Sequence, residues 1–228
     1  MKRFYKDVAV SAAPFQILLD GRSVKTPMRA ALALPTRALA EAIAEEWRGQ
    51  GDEILPATMA LTKLANTALD RVAAMQDEVI SQIAAFSNDT LCYRAAAPAD
   101  LAARQAAEWD PLLAWASERY GVRFEVRAGL THFAQPPETV AALRAAIAAY
   151  DVFALSALHT AASILTSLVL ALALAEGRLD GEEAFFHSQL DERYQVEQWG
   201  EDREAALRTR ALLAELMAAE RFLRLARS

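Results

Sequence analysis

The spacing of apolar positions changes period once along the chain. Up to Leu34 they come in short runs with the two-residue alternation of strands. Residues 3–10 open on Phe4 and Tyr5 and continue through Val8 and Val10. Phe15–Leu19 and residues 22–25 flank Asp20-Gly21, a pair that accepts positive φ at both turn positions and so predicts a hairpin. Residues 31–34 predict a further short strand after the turn at Pro27. Beyond that point the period becomes helical. Thr36 is placed to cap a helix over Arg37–Arg48, with Leu39, Ile43 and Trp47 on one face and Gly49 beyond the end. Leu61, Leu64, Ala65, Ala68 and Leu69 predict a second helix, with Thr58 near its start. Val79, Ile80, Ile83 and Phe86 predict a third.

Residues 88–97 read as a connection, extended around Leu91 and Tyr93. A helix over residues 101–108 precedes Asp110-Pro111, which predicts a fresh start, with Asp110 as N-cap and Pro111 at the first helical position. That helix runs to Tyr120 and stops at Gly121. Val122, Phe124 and Val126 alternate with Arg123, Glu125 and Arg127, the pattern of a half-buried strand. Pro136-Pro137 opens a helix to Tyr150 carrying Val140, Leu143 and Ile147. Asp180 and Glu183 form a capping arrangement for one helix that carries residues 188–200, SQLDERYQVEQWG, and ends at Gly200. A last amphipathic helix runs from about Asp202 to Leu225. The expected fold is α+β with two domains: a small β-rich N-terminal domain over 1–55, ending in a helix, and a larger all-α helical domain over 56–228.

Residues 152–175 carry no formal charge, a length that alone would permit a membrane span. Its first half holds Ser156, His159, Thr160 and Ser163, and no basic cluster flanks either end, so a central buried helix is the expectation. The N-terminal MKRFYKDVAV has basic residues with no apolar run behind them, unlike a secretory signal. The 20 Arg against 4 Lys, with 51 Ala, read as the bias of a GC-rich genome and inflate the helical signal throughout. The net charge of −6 argues against nucleic acid as the main partner, because phosphate binding needs a concentrated positive surface. A single cysteine, Cys92, forms no internal disulfide, fits a reducing compartment, and has no histidine near it in sequence to activate it.

Candidate chemistry is sparse. Gly49-Gln50-Gly51 follows a helix, and a phosphate cradle needs glycines between a strand and a helix start. Glu183, His187 and Asp191 stand at i, i+4 and i+8, so on one continuous helix they would share a face and offer ligands or an acid–base pair. That makes a metal- or carboxylate-dependent enzyme the alternative reading, against a solvated face in which His187 bonds a neighbouring carboxylate. His159 reads as a core histidine bonded to a neighbour. Trp109 and Trp115 are expected in the core, whereas Trp199 at a helix corner is either a clasp or an exposed anchor.

The runs RFYKDVAV, FQILLDGRSVKTP, LALPTRALAEAIAEEW, SNDTLCYRA, QAAEWDPLLAW and SQLDERYQVEQWG resemble, in order and over nearly the whole chain, the chaperones that assemble the F-type ATP synthase by binding its alpha subunit. The resemblance implies a β-rich domain followed by a helical one, no catalysis, no cofactor and no metal. A monomer is expected, and because mitochondrial relatives carry a targeting arm whereas this chain starts almost directly at the family's first strand, the expected location is the bacterial cytoplasm. The partner the resemblance implies is the ATP synthase alpha subunit, held with its subunit interface shielded until the beta subunit replaces the chaperone. The acidic pair in the C-terminal motif corresponds to Asp191 and Glu192, with Glu192 the favoured contact. Asp191 stands where the family often has a second glutamate. Gln195, Glu197 and Trp199 are the next partner-binding candidates, and Arg22, Lys25 and Trp47 also match family positions.

Overall fold

A computed structural model describes residues 1–227. They fall into two compact units, one built from Met1–Val79 with Tyr150–Ala157 and the chain from Ala218 onward, the other from Ile80–Ala149 with Leu158–Met217. The change of period after Leu34 marks where strands give way to helices inside the first unit.

That unit contains the antiparallel strands β1 (Val8–Val10), β2 (Phe15–Leu19), β3 (Arg22–Ser23) and β4 (Ala33–Leu34), with β2 pairing with each of the others. The hairpin falls where predicted, with Asp20 at φ 48° and Gly21 at φ 78°. Asp20 tolerates this because its carboxylate accepts hydrogen bonds from the Lys6 and Asp7 amides at 3.0 and 2.8 Å. Helix α1 (Arg37–Arg48) packs on β1 and β2, burying Leu39 and Ile43 beside Ile17 and Leu34. The hydroxyl of Thr36 accepts from the Leu39 amide at 3.1 Å and donates to the Leu225 carbonyl at 2.6 Å. Thr36→Ala loses both bonds, and an unfolding free energy lower by about 1–2 kcal/mol is expected in a urea titration. Helix α2 (Ala60–Thr67) runs on into a π turn at Ala68–Val72, and α3 (Gln76–Ala84) follows.

In the second unit β5 (Tyr93–Arg94) pairs in parallel with β6 (Arg127–Ala128). Helix α4 (Ala99–Tyr120) is continuous through Pro111, so the restart expected at Asp110 does not occur. The Asp110 carboxylate is drawn away from capping by Arg94, whose guanidinium donates to it at 2.6 Å. Burial of Trp109, Leu112 and Leu113 around the proline holds the helix across the missing amide. Gly121 ends it at φ 64°. The expected strand over 122–127 forms only its last ladder position. Val122 and Phe124 are half-buried as the alternation predicts, but the backbone of Arg123 and Glu125 bonds to side chains where a strand partner would stand. Gln135 clamps Glu125 through both its amide donor and its carbonyl at 2.9 Å, and Thr139 donates to the Arg123 carbonyl at 2.7 Å.

Helix α5 (Pro137–Ala148) precedes α6 (Val152–Leu165) and α7 (Leu168–Ala175). The uncharged run is thus two helices, broken where Thr166 takes φ 50° and Ser167 caps α7 by accepting from the Leu170 amide. At about 1.5 Å per residue neither piece approaches the roughly 30 Å of a hydrocarbon core. No helix among the described residues is long and apolar enough to cross a membrane. Every residue of α7 is buried, and α7 packs against α4 and the next helix, α8 (Gly181–Ser188). Asp180 and Glu183 make the capping box at the start of α8. Then come α9 (Leu190–Trp199) and α10 (Arg203–Ala226).

One buried carboxylate ties two of these starts together. Asp89 is fully buried and accepts from the Leu91 amide at 3.0 Å, the Ser167 hydroxyl at 3.0 Å and the Val169 amide at 2.8 Å. It therefore closes both the 3-10 turn Thr90–Cys92 and the N-terminus of α7. Burial pushes its carboxyl up to about 6 against the pull of those donors. The thiol of Cys92 is buried beside it and is driven up by burial and then by the Asp89 charge, which leaves it inert at neutral pH.

Candidate partner-binding surface

The C-terminal motif does not lie on one helix. The chain breaks at Gln189, whose backbone sits at φ −98° and ψ 20°, between α8 and α9. The break turns α9 so that Leu190 and Tyr194, one turn apart, are both buried. A row of polar bonds fixes that side of α9 to α4. Gln105 donates to Asp191 at 2.7 Å, and Tyr194 donates to Asp100 at 3.0 Å. Arg104 pairs with Glu197 at 2.6 Å, and Arg193 with Glu108 at 2.9 Å. The Tyr194 phenol is raised by burial and by the Asp100 carboxylate it serves.

The opposite face of α9 is bare. Glu192, Gln195, Val196 and Trp199 follow at i, i+3, i+4 and i+7, one stripe of the helix, and all four are exposed. Trp199 is 78% exposed and Val196 45%, large values for such side chains. Trp199 is therefore no clasp. Glu192 has no hydrogen bond or ion pair among the described residues, whereas Asp191 and Glu197 are both held by α4.

Between α9 and the start of α10 lies a groove of about 510 Å³, with Val196, Ala205 and Ala206 as its apolar lining. Glu192, Glu197, Glu201 and Asp202 make its wall predominantly acidic, against Arg193 and Arg210. Asp202 is engaged in capping α10, accepting from the Glu204 and Ala205 amides at 2.7 and 2.9 Å, which hold its carboxyl below the usual range. Arg193, Val196, Glu201 and Arg210 were not singled out by sequence. The available signal was the i+4 spacing of Val196 from Glu192, and only the turn at Gly200, φ 88°, brings α10 against it.

The carboxylate–histidine set takes a different form from the one spacing suggested. Glu183 is committed to the capping box, His187 meets Glu108 at 3.2 Å, and Asp191 accepts from Gln105. The helix break at Gln189 separates the first two from the third. No cluster of His, Cys, Asp and Glu among the described residues is arranged to hold a metal ion.

The family model for the ATP12 chaperone protein matches residues 2–117. The chain belongs to the ATP12 chaperone family. Chaperones of this family serve assembly of the F-type ATP synthase. The mitochondrial protein atp12 of Schizosaccharomyces pombe is 26% identical over 214 residues, spanning 87% of this chain and 74% of that protein. The crystal structure of Atp12 from Paracoccus denitrificans superposes with a TM-score of 0.94 at 38% identity, covering 99% of this chain and 98% of that one. A structure from Agrobacterium tumefaciens superposes equally, TM-score 0.94, at 44% identity, covering 98% of this chain and 85% of that one. Similarity to the ATP12 structures thus extends beyond the matched segment to the helices that carry the groove.

Proposed function

We propose that this ATP12-family chaperone holds the free alpha subunit of the F-type ATP synthase, shielding its subunit interface until the beta subunit takes the chaperone's place. The observation that carries this reading is the unpartnered stripe of α9, Glu192, Gln195, Val196 and Trp199, on a helix whose other side is fixed by polar bonds. A rigid helix presenting an aromatic anchor and a free carboxylate beside an apolar groove is suited to a protein partner. An unassembled subunit exposes an apolar interface and aggregates, so a chaperone must cover that interface less tightly than the final partner does. Equilibrium binding meets that need without catalysis, cofactor or metal. The chaperone acts as a monomer in the bacterial cytoplasm, a placement supported by its likeness to bacterial ATP12 structures. Light scattering of purified alpha subunit tests the activity: the chain suppresses aggregation near one-to-one stoichiometry, and added beta subunit releases it.

A further inference from the structure

The β-rich unit carries a second groove, of about 600 Å³. Its lining includes the buried Tyr5 and Leu19, the half-buried Trp47, and Phe4, which is 65% exposed. Arg22 and Lys25 stand on its rim from the β2–β3 hairpin, both exposed and neither in a salt bridge among the described residues. The one carboxylate in the lining, Asp20, accepts from the Lys6 and Asp7 amides, which with the nearby charges of Lys6 and Arg22 hold it below the usual carboxylate range, so the rim keeps an excess of positive charge. An exposed aromatic beside an apolar cleft is a surface that a partner covers, and the two exposed cations at its edge outnumber the single carboxylate and set the sign of that partner.

We infer that this groove docks a segment of a partner protein in which apolar side chains are accompanied by carboxylates, the apolar groups entering beside Phe4 and Trp47 and the carboxylates meeting Arg22 and Lys25. Charge complementarity selects this occupant. In a chain of net charge −6, a locally cationic apolar cleft favours an acidic segment. Two cations are too few for a nucleic-acid track, which needs a stripe of them. They also give a membrane surface only about 1 kcal/mol each. The reading is independent of the α9 surface, which is acidic.

The test uses the full chain and a fluorescein-labelled peptide alternating Phe or Leu with Glu, beside a twin with Gln in place of each Glu, by anisotropy at low salt. The acidic peptide binds and the Gln twin binds about tenfold more weakly, as expected when two exposed ion pairs are lost. The double variant Arg22→Glu, Lys25→Glu loses the same factor while its far-UV circular dichroism is unchanged, since both side chains are exposed. Phe4→Ala weakens both peptides alike. Equal affinity for the twins, no binding of either, or no effect of the double variant overturns the inference. So does co-sedimentation with phosphatidylserine vesicles in preference to the acidic peptide, which would make the groove a membrane contact. Failure here leaves alpha-subunit holding by α9 untouched, and the light-scattering assay reads that separately.

Discussion

Asp89→Ala is expected to lower the unfolding free energy by about 3–5 kcal/mol, a large part of the roughly 5–15 kcal/mol typical of a folded chain. The variant strips the acceptor from the Leu91 amide, the Val169 amide and the Ser167 hydroxyl at a site with no solvent to replace it. Each orphaned buried donor costs about 1–3 kcal/mol, partly offset because the variant no longer has to bury a carboxylate. The same burial makes the effect depend on pH in a defined direction. The folded carboxyl titrates at about 6 and the unfolded one at roughly 4, so the folded state binds the proton more tightly. Its contribution to stability is therefore fully present below about pH 4 and is lost as pH rises through 6. Other carboxylates shift wild type and variant together. The gap between the two thus isolates Asp89, and it widens by roughly 1–2 kcal/mol between pH 7 and pH 5. Denaturant titrations of both proteins at the two pH values check the sign. A gap that narrows on acidification contradicts the assignment.

The second large effect concerns binding. Trp199→Ala is expected to weaken the complex with the alpha subunit by about 2–4 kcal/mol while leaving the fold intact, because the indole is 78% exposed and supports nothing in the chain's core. Glu192→Lys is expected to cost on the order of 2–3 kcal/mol, about 30- to 150-fold in Kd. Its carboxylate has no partner among the described residues, so reversal breaks no bond in the free chaperone. Asp191→Ala serves as the contrast: it removes the acceptor of Gln105 and loosens the bond between α9 and α4. Its loss therefore appears in thermal stability as well as in binding.

Much of the fold follows from local chemistry. Thr36 caps α1, Asp20-Gly21 turns the hairpin, and Asp180 with Glu183 opens α8, because each device is complete within a few residues. The departures share one cause: a distant partner outbids the local signal. Asp110 caps nothing because Arg94 takes its carboxylate. The strand pattern at 122–127 finds the side chains of Gln135 and Thr139 where a strand partner was expected. The uncharged run breaks at Thr166, where Ser167 and Asp89 make a new helix start that periodicity alone does not reveal. The candidate surface was only half legible. The acidic and aromatic residues of α9 stood out, but which of them face outward depended on the break at Gln189. That break leaves Glu192 and Trp199 open and turns Asp191 inward. Spacing also suggested a shared face for Glu183, His187 and Asp191, and the same break removes it.

The most direct test of the account is the affinity of purified alpha subunit for the chain and for its Glu192→Lys variant, measured by titration at fixed ionic strength, with foldedness of both verified by circular dichroism. Saturable binding by the chain, displacement by beta subunit, and a variant weaker by about 30-fold or more are expected. Failure of the chain to bind alpha subunit, or equal binding by chain and variant, would contradict the account.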